Sequence, residues 1–531
     1  MWAPEEDLKQ PLLNGKDSGS SNGFSQQPKV KTERKCNDIL FLILFLGVIA
    51  GMGVVSGIAY KRGDPSILLP QNEIANHIKN STESFVISKL ENAVAQMRKD
   101  KDILIYSVIL AVVLGAVWIE LLKTFTRFFI YFTLCLGVAL VAVLGILFVG
   151  LGRKESSEST QIVGFCLIAS TILLICVIVY LRKSIDLTCA MFTETCRGVQ
   201  RSPSVFIVAG IVVLAFVGFL AYWTSSFVYL FSIPGHTVNP FNENSSADIN
   251  LAGSGSASQN GTTTSVFNTK IRNLMYFMIF GFCWVTAFIS AVFQHTVAGT
   301  VSHWYFSRNP SGETDVGSSN AFGSLGKALT TSLGSLAFGS LIIGFIEFMQ
   351  FILQVCKNTN SSNKLVVLVV SCIQCIVGCI EAIVRWINKF GYIYVAMHGT
   401  SFCTSTRTCF DLISRNMFSA IVMDFIGSFV LLLGKILGSA ASALFTTGLL
   451  YGLGRSLNPI TIGLSALFAF CIFNLFTHII GIGTDTIFVC YLEDLETNGP
   501  NNLYISPDLH DLLQEKASKS NEGNNNKSSN V

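Results

Sequence analysis

Two side chains that could do chemistry share one face of an apolar segment. Trp284 and His295 lie eleven residues apart, about three helical turns, within the stretch 278–306. The face of an indole attracts a quaternary ammonium group, and burial strengthens this cation–π contact. An imidazole titrates near physiological pH and could carry protons. The alternatives are plain packing for Trp284 and a hydrogen bond near the membrane interface for His295.

Carboxylates form a second group of candidate functional residues. Glu347 shares a helical face with small residues such as Gly344, and Glu381 has a similar setting further along the chain. Acids inside membrane segments are rare and often mark substrate or proton paths. The alternative is a buried ion pair that fixes helix packing, with Lys435 or Arg385 as the partner. The other acids in or near apolar segments are Glu120, Asp424 and Asp485.

Composition indicates that membrane-spanning helices position these residues. Half of the 531 residues are hydrophobic, 13% are charged, and the mean hydropathy is +0.54. This favours an all-α polytopic membrane protein. About ten segments are long enough to span a bilayer. They are 39–60, 103–122, 128–151, 162–181, 205–231, 274–297, 333–353, 365–384, 418–437 and 460–482.

Charge and sequence motifs predict the orientation in the membrane. An even number of spans places both termini on one side. Basic clusters before the first span and after the fourth and eighth make that side cytosolic by the positive-inside rule, although the outer loop 61–101 is also rich in Lys and Arg. Four N-glycosylation triplets lie in loops on the opposite side, which supports the same orientation. They begin at Asn80, Asn244, Asn260 and Asn360.

The order of polar and apolar segments divides the chain into a transmembrane domain and two tails. Residues 1–37 and 496–531 are predicted as disordered cytosolic tails, and 38–495 as the transmembrane domain, with outer loops 61–101 and 231–271. The first span is long enough to act as a retained signal anchor. Residues 184–200 and 400–415 mix polar and apolar residues at helical spacing, which predicts amphipathic helices on the inner membrane surface.

Several functional classes are disfavoured by the sequence. The net charge of +3 argues against nucleic acid as a partner. No complete nucleotide-binding or hydrolase motif occurs, so an enzyme is not predicted, and neither is a cofactor. Cysteines at 372, 375 and 379 share one helical face; they could bind metal, but within a membrane such residues more often pack, and we predict no metal site.

Five segments, in order, resemble the choline transporter-like family of plasma-membrane choline transporters. They are 36–65 (beginning CNDILFLILF), 298–306 (AGTVSHWYF), 333–342 (LGSLAFGSLI), 388–416 and 485–498 (DTIFVCYLEDLETN). Two features are closer to the fungal and protist branch. The first outer loop is short and lacks cysteine, and Ser332 stands where many animal members have histidine. The resemblance implies about ten spans, cytosolic termini and sodium-independent transport of choline, with ethanolamine and proton exchange in some members.

These observations together predict a facilitative or proton-coupled carrier for choline or a related amino-alcohol cation such as ethanolamine. In this hypothesis Trp284, helped by Tyr392 or Tyr394, contacts the ammonium methyl groups. Glu347 and Glu381 supply negative charge, His295 couples protons, and membrane lipid surrounds the protein. The alternative is a non-transporting receptor or lipid-associated scaffold. Residence is predicted in the plasma membrane; a dileucine-like string near the N-terminus, EEDLKQPLL, makes the endolysosomal membrane the alternative.

Overall fold

The computed structural model describes residues 36–65, 98, 100–154, 157–233, 261–307, 320–359, 364–499 and 504. Within these ranges the chain is entirely helical, which confirms the all-α prediction. The twelve helices are α1 (Ile39–Arg62), α2 (Lys101–Lys154), α3 (Glu158–Tyr180), α4 (Arg182–Arg201), α5 (Ser204–Phe231), α6 (Gly261–Phe306), α7 (Asn320–Leu329), α8 (Leu333–Thr359), α9 (Lys364–His398), α10 (Phe402–Ser414), α11 (Met417–Gly452) and α12 (Pro459–Asn498).

Nine helices of the described chain, all but α4, α7 and α10, are long and apolar enough to cross a membrane. Helix α2 has 54 residues and would extend about 81 Å if straight, more than twice the thickness of the hydrocarbon core. It bends at Phe125, whose backbone is not helical (φ −117°, ψ 28°). The rings of Trp118 and Phe129 lie 4.9 Å apart across this bend. The bend falls between the second and third predicted spans, so ten predicted spans correspond to nine helices.

Four helices continue well beyond the ends predicted from hydropathy. Helix α11 is predicted to end near 437 and runs to Gly452. Helices α6, α9 and α12 are predicted to end near 297, 384 and 482 and run to Phe306, His398 and Asn498. Hydropathy reports contact with lipid, whereas the extensions of α6, α9 and α12 are largely buried among other parts of the protein. Helix α6 also begins at Gly261, inside the predicted outer loop 231–271.

The two amphipathic segments are helical, as predicted, and form α4 and α10. The apolar face of α4 packs into the protein core, where Ile185, Met191 and Phe192 are fully buried. Burial raises the pKa of the Cys196 thiol on the same helix to about 12, so this thiol is a neutral packing group. Cys372, Cys375 and Cys379 are exposed on α9.

The membrane helices, together with α4, pack as two groups. The first helix group contains α1, α5, α6, α8 and α9, and the second contains α2, α3, α4, α11 and α12. Helix α12 joins the groups because it also packs against α6 and, less extensively, α9. A boundary between two helix groups is a usual place for a ligand site in a membrane protein.

The two ends of the molecule are held by different polar contacts. At the end we call the tail end, the Asp38 carboxylate accepts hydrogen bonds from the Phe402 backbone N–H (2.9 Å) and the Ser335 hydroxyl (2.7 Å). At the opposite end, the loop end, Arg455 pairs with Asp102 at 3.0 Å. The sequence predicts that the tail end faces the cytosol, and this orientation stays a prediction. The four glycosylation asparagines and most of both predicted tails lie outside the described residues.

Candidate functional site

A cavity of about 450 Å³ lies at the boundary between the two helix groups. Helices α6, α8 and α9 of the first group and α11 and α12 of the second contribute to its walls. Its volume falls within the range of small-molecule sites. The polar residues of the lining include Gln294, Arg385, Lys389, Tyr392, Lys435, Asn474, His478 and Asp485.

An ion-pair cluster forms the part of the cavity nearest the tail end, which we call the floor. Lys389 of α9 lies 2.8 Å from Asp424 of α11 and 2.9 Å from Asp485 of α12. Asp485 is buried and lines the cavity, whereas Asp424 is half exposed behind it. One ammonium group therefore links the first helix group to two carboxylates of the second.

A similar cluster lies one helical turn away on α9. Arg385 donates from Nε to Glu381 at 2.8 Å, and its guanidinium also pairs with Glu347 of α8. Gln350 donates a further hydrogen bond to Glu381 at 2.8 Å. The guanidinium lines the cavity, while its two carboxylates lie outside the lining.

The two clusters together carry an excess of negative charge. Arg385 and Lys389 supply two positive charges, and the four carboxylates supply four negative charges, so the balance is 2 − 4 = −2 when all are ionised. Lys435, which also lines the cavity, brings the net charge to −1. Excess charge inside a membrane protein needs compensation, and a bound cation would provide it.

The part of the cavity further from the tail end, which we call the rim, is rich in hydrogen-bond donors. Lys435, Asn474 and His478 line it from α11 and α12. The His478 imidazole stacks on Phe293 with ring centroids 5.1 Å apart. Gln294 of α6 donates to Ser290 at 3.1 Å, and both side chains also line the cavity.

The structure brings one predicted site residue directly into the cavity wall. Tyr392 of α9 lines the floor and packs against Phe402, with ring centroids 5.5 Å apart. Glu347 and Glu381 lie beside the cavity as ion-pair partners of Arg385, one of the two basic residues that the sequence offers as a partner. The other, Lys435, has no carboxylate within ion-pair distance among the described residues.

The remaining predicted site residues lie away from the cavity lining. Trp284 is fully buried between helices, and its indole N–H donates to the backbone carbonyl of Ala337 at 3.1 Å. His295 is also buried. Tyr394 packs on the other side of α9 against the ring of His398, at 4.4 Å.

Sequence reasoning did not assign site roles to Lys389, Asp485, Lys435 or His478. A signal for part of this set was present, because Arg385, Lys389 and Tyr392 recur at spacings of four and three and so share one face of α9. Polar groups at these spacings next to an apolar span indicate a helix that faces water or a ligand. Glu381 lies four residues before Arg385 on the same helix, but the other three acids, Glu347, Asp424 and Asp485, lie on other helices, where no local spacing reveals them.

The fold and the cavity together define the class, a multi-pass helical membrane protein with a polar site between two helix groups. A family model described as plasma-membrane choline transporter matches residues 164–496. A CTL-like protein of Dictyostelium discoideum is 68% identical in an alignment of 543 positions that covers 98% of each chain. The choline transporter-like protein 2 of Bos taurus is 29% identical over 63% of this chain and 51% of that protein.

The choline transporter-like protein 2 of Dictyostelium discoideum is 27% identical over 74% of this chain and 63% of that protein. The chain thus spans about half to two thirds of the length of these two relatives and nearly all of the CTL-like protein. It belongs to the choline transporter-like family, which confirms the resemblance. This is a family of transporters and not of enzymes, and membership supports a transporter role.

Proposed function

We propose that the protein carries choline, or a related amino-alcohol cation such as ethanolamine, across a membrane. The observation that carries this proposal is the cavity between the two helix groups, where the lining residues and their ion-pair partners together supply four carboxylates and three basic groups. A cation entering a site with excess negative charge compensates it, whereas an anion entering the floor would add to it. The names of the family and of its choline transporter-like members agree with a cationic substrate.

Two lining residues are the best candidates to contact the ammonium group. The Tyr392 ring offers a cation–π surface at the floor, and the buried Asp485 carboxylate offers a negative charge. Glu347 and Glu381 act through Arg385, because they compensate the guanidinium that would otherwise repel the substrate. Trp284 and Tyr394 support the helices around the site in this proposal.

The link through Lys389 suggests how binding is coupled to movement. The Lys389 ammonium holds Asp485 across the boundary of the two helix groups. A substrate ammonium close to Asp485 would compete with Lys389 for the same carboxylate. Weakening this link would allow the groups to shift relative to one another, as alternating access requires.

A proton-coupled form of the carrier would use an imidazole that faces the cavity. His478 meets this condition, because it is exposed and lines the rim. His295 is buried outside the lining, so His478 replaces it in the proposal. The facilitative form needs no titrating group, and uptake with and without an imposed pH gradient distinguishes the two.

The proposal is tested with purified protein in liposomes and radiolabelled choline. We expect Asp485→Asn and Tyr392→Leu to reduce uptake at least tenfold at low choline concentration, because each removes a contact with the ammonium group. The matched controls are Asp411→Asn, an exposed acid on α10, and Tyr394→Leu on the other side of α9. Equal losses in the variants and their controls would argue against the assigned site.

The alternative function remains a non-transporting receptor or lipid-associated scaffold. Correctly folded protein that takes up neither choline nor ethanolamine under any pH gradient would support it. Family membership favours the plasma membrane as the place of residence, with the endolysosomal membrane as the alternative. Localisation of the full-length chain with markers for both membranes decides between them.

A further inference from the structure

One charged group of the cavity has no place in recognition of a simple cation. Lys435 lines the rim and forms no ion pair with any residue of the described chain. Its ammonium group would repel choline or ethanolamine in the same cavity. A fixed positive charge at a site for cations needs a partner, because an unpaired charge within a membrane protein is costly.

Lys435 also lies too deep to reach the membrane surface. It is 18 residues from the start of α11 at Met417 and 17 from the end at Gly452. These separations correspond to about 25 Å along the axis in either direction, far beyond the length of a lysine side chain. The ammonium group is therefore held in the cavity.

The surroundings of Lys435 suit a group rich in oxygen atoms. Asn474 and His478 line the same rim from α12, and Gln294 adds a second amide from α6. Amides and imidazoles donate hydrogen bonds to phosphate and carboxylate oxygens, and an ammonium group strengthens such binding by charge. Asp485, at the floor, is the only carboxylate among the described residues that line the cavity.

We propose that the rim binds an anionic group of the ligand, so that the cavity accepts zwitterions, amino-alcohol derivatives that carry a phosphate or carboxylate as well as an ammonium group. This inference rests on the proposed function, because the ammonium end occupies the floor. His478 and Asp485 are seven residues apart on α12, about 10 Å along the axis. The distance leaves room for one short zwitterion between the basic rim and the acidic floor.

The test measures competition for choline uptake in liposomes with the full-length protein. The competitors are phosphocholine and glycine betaine, with inorganic phosphate as the free-anion control. We expect both zwitterions to compete and inorganic phosphate to have no effect. Lys435→Gln should weaken competition by the zwitterions, relative to the apparent affinity for choline, at least tenfold. Lys435→Arg keeps the charge and should preserve the ratio.

Lys364→Gln is the matched control, because Lys364 is exposed at the start of α9, away from the cavity. It should leave all apparent affinities unchanged. Three results would each overturn the inference. The first is absence of competition by the zwitterions in the unmodified protein. The others are a Lys435→Gln variant that changes the apparent affinities for choline and for the zwitterions equally, and competition by inorganic phosphate alone. Because choline uptake is measured in every arm, loss of the proposed function itself is recognised separately, as absence of choline uptake.

Discussion

Trp284 lies outside the cavity lining, although its residue type suits a cation site. Its indole N–H is satisfied by the Ala337 carbonyl, and its ring meets the edge of Phe45 at 5.3 Å. A Cβ on Gly344 would approach the Trp284 Cα to 2.7 Å, so α6 and α8 are in close backbone contact there. These contacts account for the residue as a packing group between α1, α6 and α8.

Substitution of Trp284 separates packing from substrate binding. Trp284→Phe retains an aromatic ring and removes the donor to Ala337, so we expect the free energy of unfolding to fall by about 1–3 kcal/mol. Thermal unfolding in detergent measures this loss. In the fraction that remains folded, the KM for choline should change less than twofold. A tenfold rise in KM with unchanged stability would place the substrate at Trp284.

At the scale of helices, the sequence predicts most of the elements and little of their arrangement. Apolar runs locate the spans because lipid contact demands them, and helical spacing of polar residues locates α4 and α10. The bend at Phe125 has no proline or glycine next to it that would have indicated it. The two ion pairs of Lys389 join residues 35 and 96 positions apart, and their pairing follows from the packing of the helix groups.

Helices α11 and α12 depend on a glycine contact that can be tested. A Cβ on Gly438 would lie 2.3 Å from the ring of Phe473, so the ring fills the space that a side chain would need. We expect Gly438→Ala to lower the free energy of unfolding by about 1–3 kcal/mol through overpacking. Gly448 on the same helix has open space around its Cβ position, so Gly448→Ala is the control and should not destabilise. Equal melting temperatures of the two variants would contradict the close packing.

At the scale of the whole molecule, the two helix groups are connected at the tail end by several polar contacts. Lys389 joins α9 to α11 and α12, His398 of α9 lies 2.8 Å from Glu493 of α12, and the Tyr305 hydroxyl of α6 donates to Asp494 at 3.0 Å. Lys389 also lines the cavity. These contacts therefore close the boundary on the tail side of the site, and a carrier must loosen them to release substrate there.

Among these residues, Lys389 is the one whose substitution should lower the stability of the whole molecule most. Lys389→Met leaves Asp424 and Asp485 facing each other without a cation, and loss of one partner from a buried ion pair costs about 3 kcal/mol or more. We expect a clear fall in melting temperature, whereas Lys123→Met, which disturbs an exposed pair with Glu120, should change it little.

The decisive comparison is the triple variant Lys389→Met, Asp424→Asn, Asp485→Asn, in which the unpaired charges are also removed. Its stability should recover most of the loss, because the cost arises from uncompensated carboxylates and not from the missing lysine stem. The same variant should take up little choline, since the floor has lost its negative charge. A triple variant as unstable as Lys389→Met would show instead that the lysine acts through packing, and the charge link between the helix groups would be refuted.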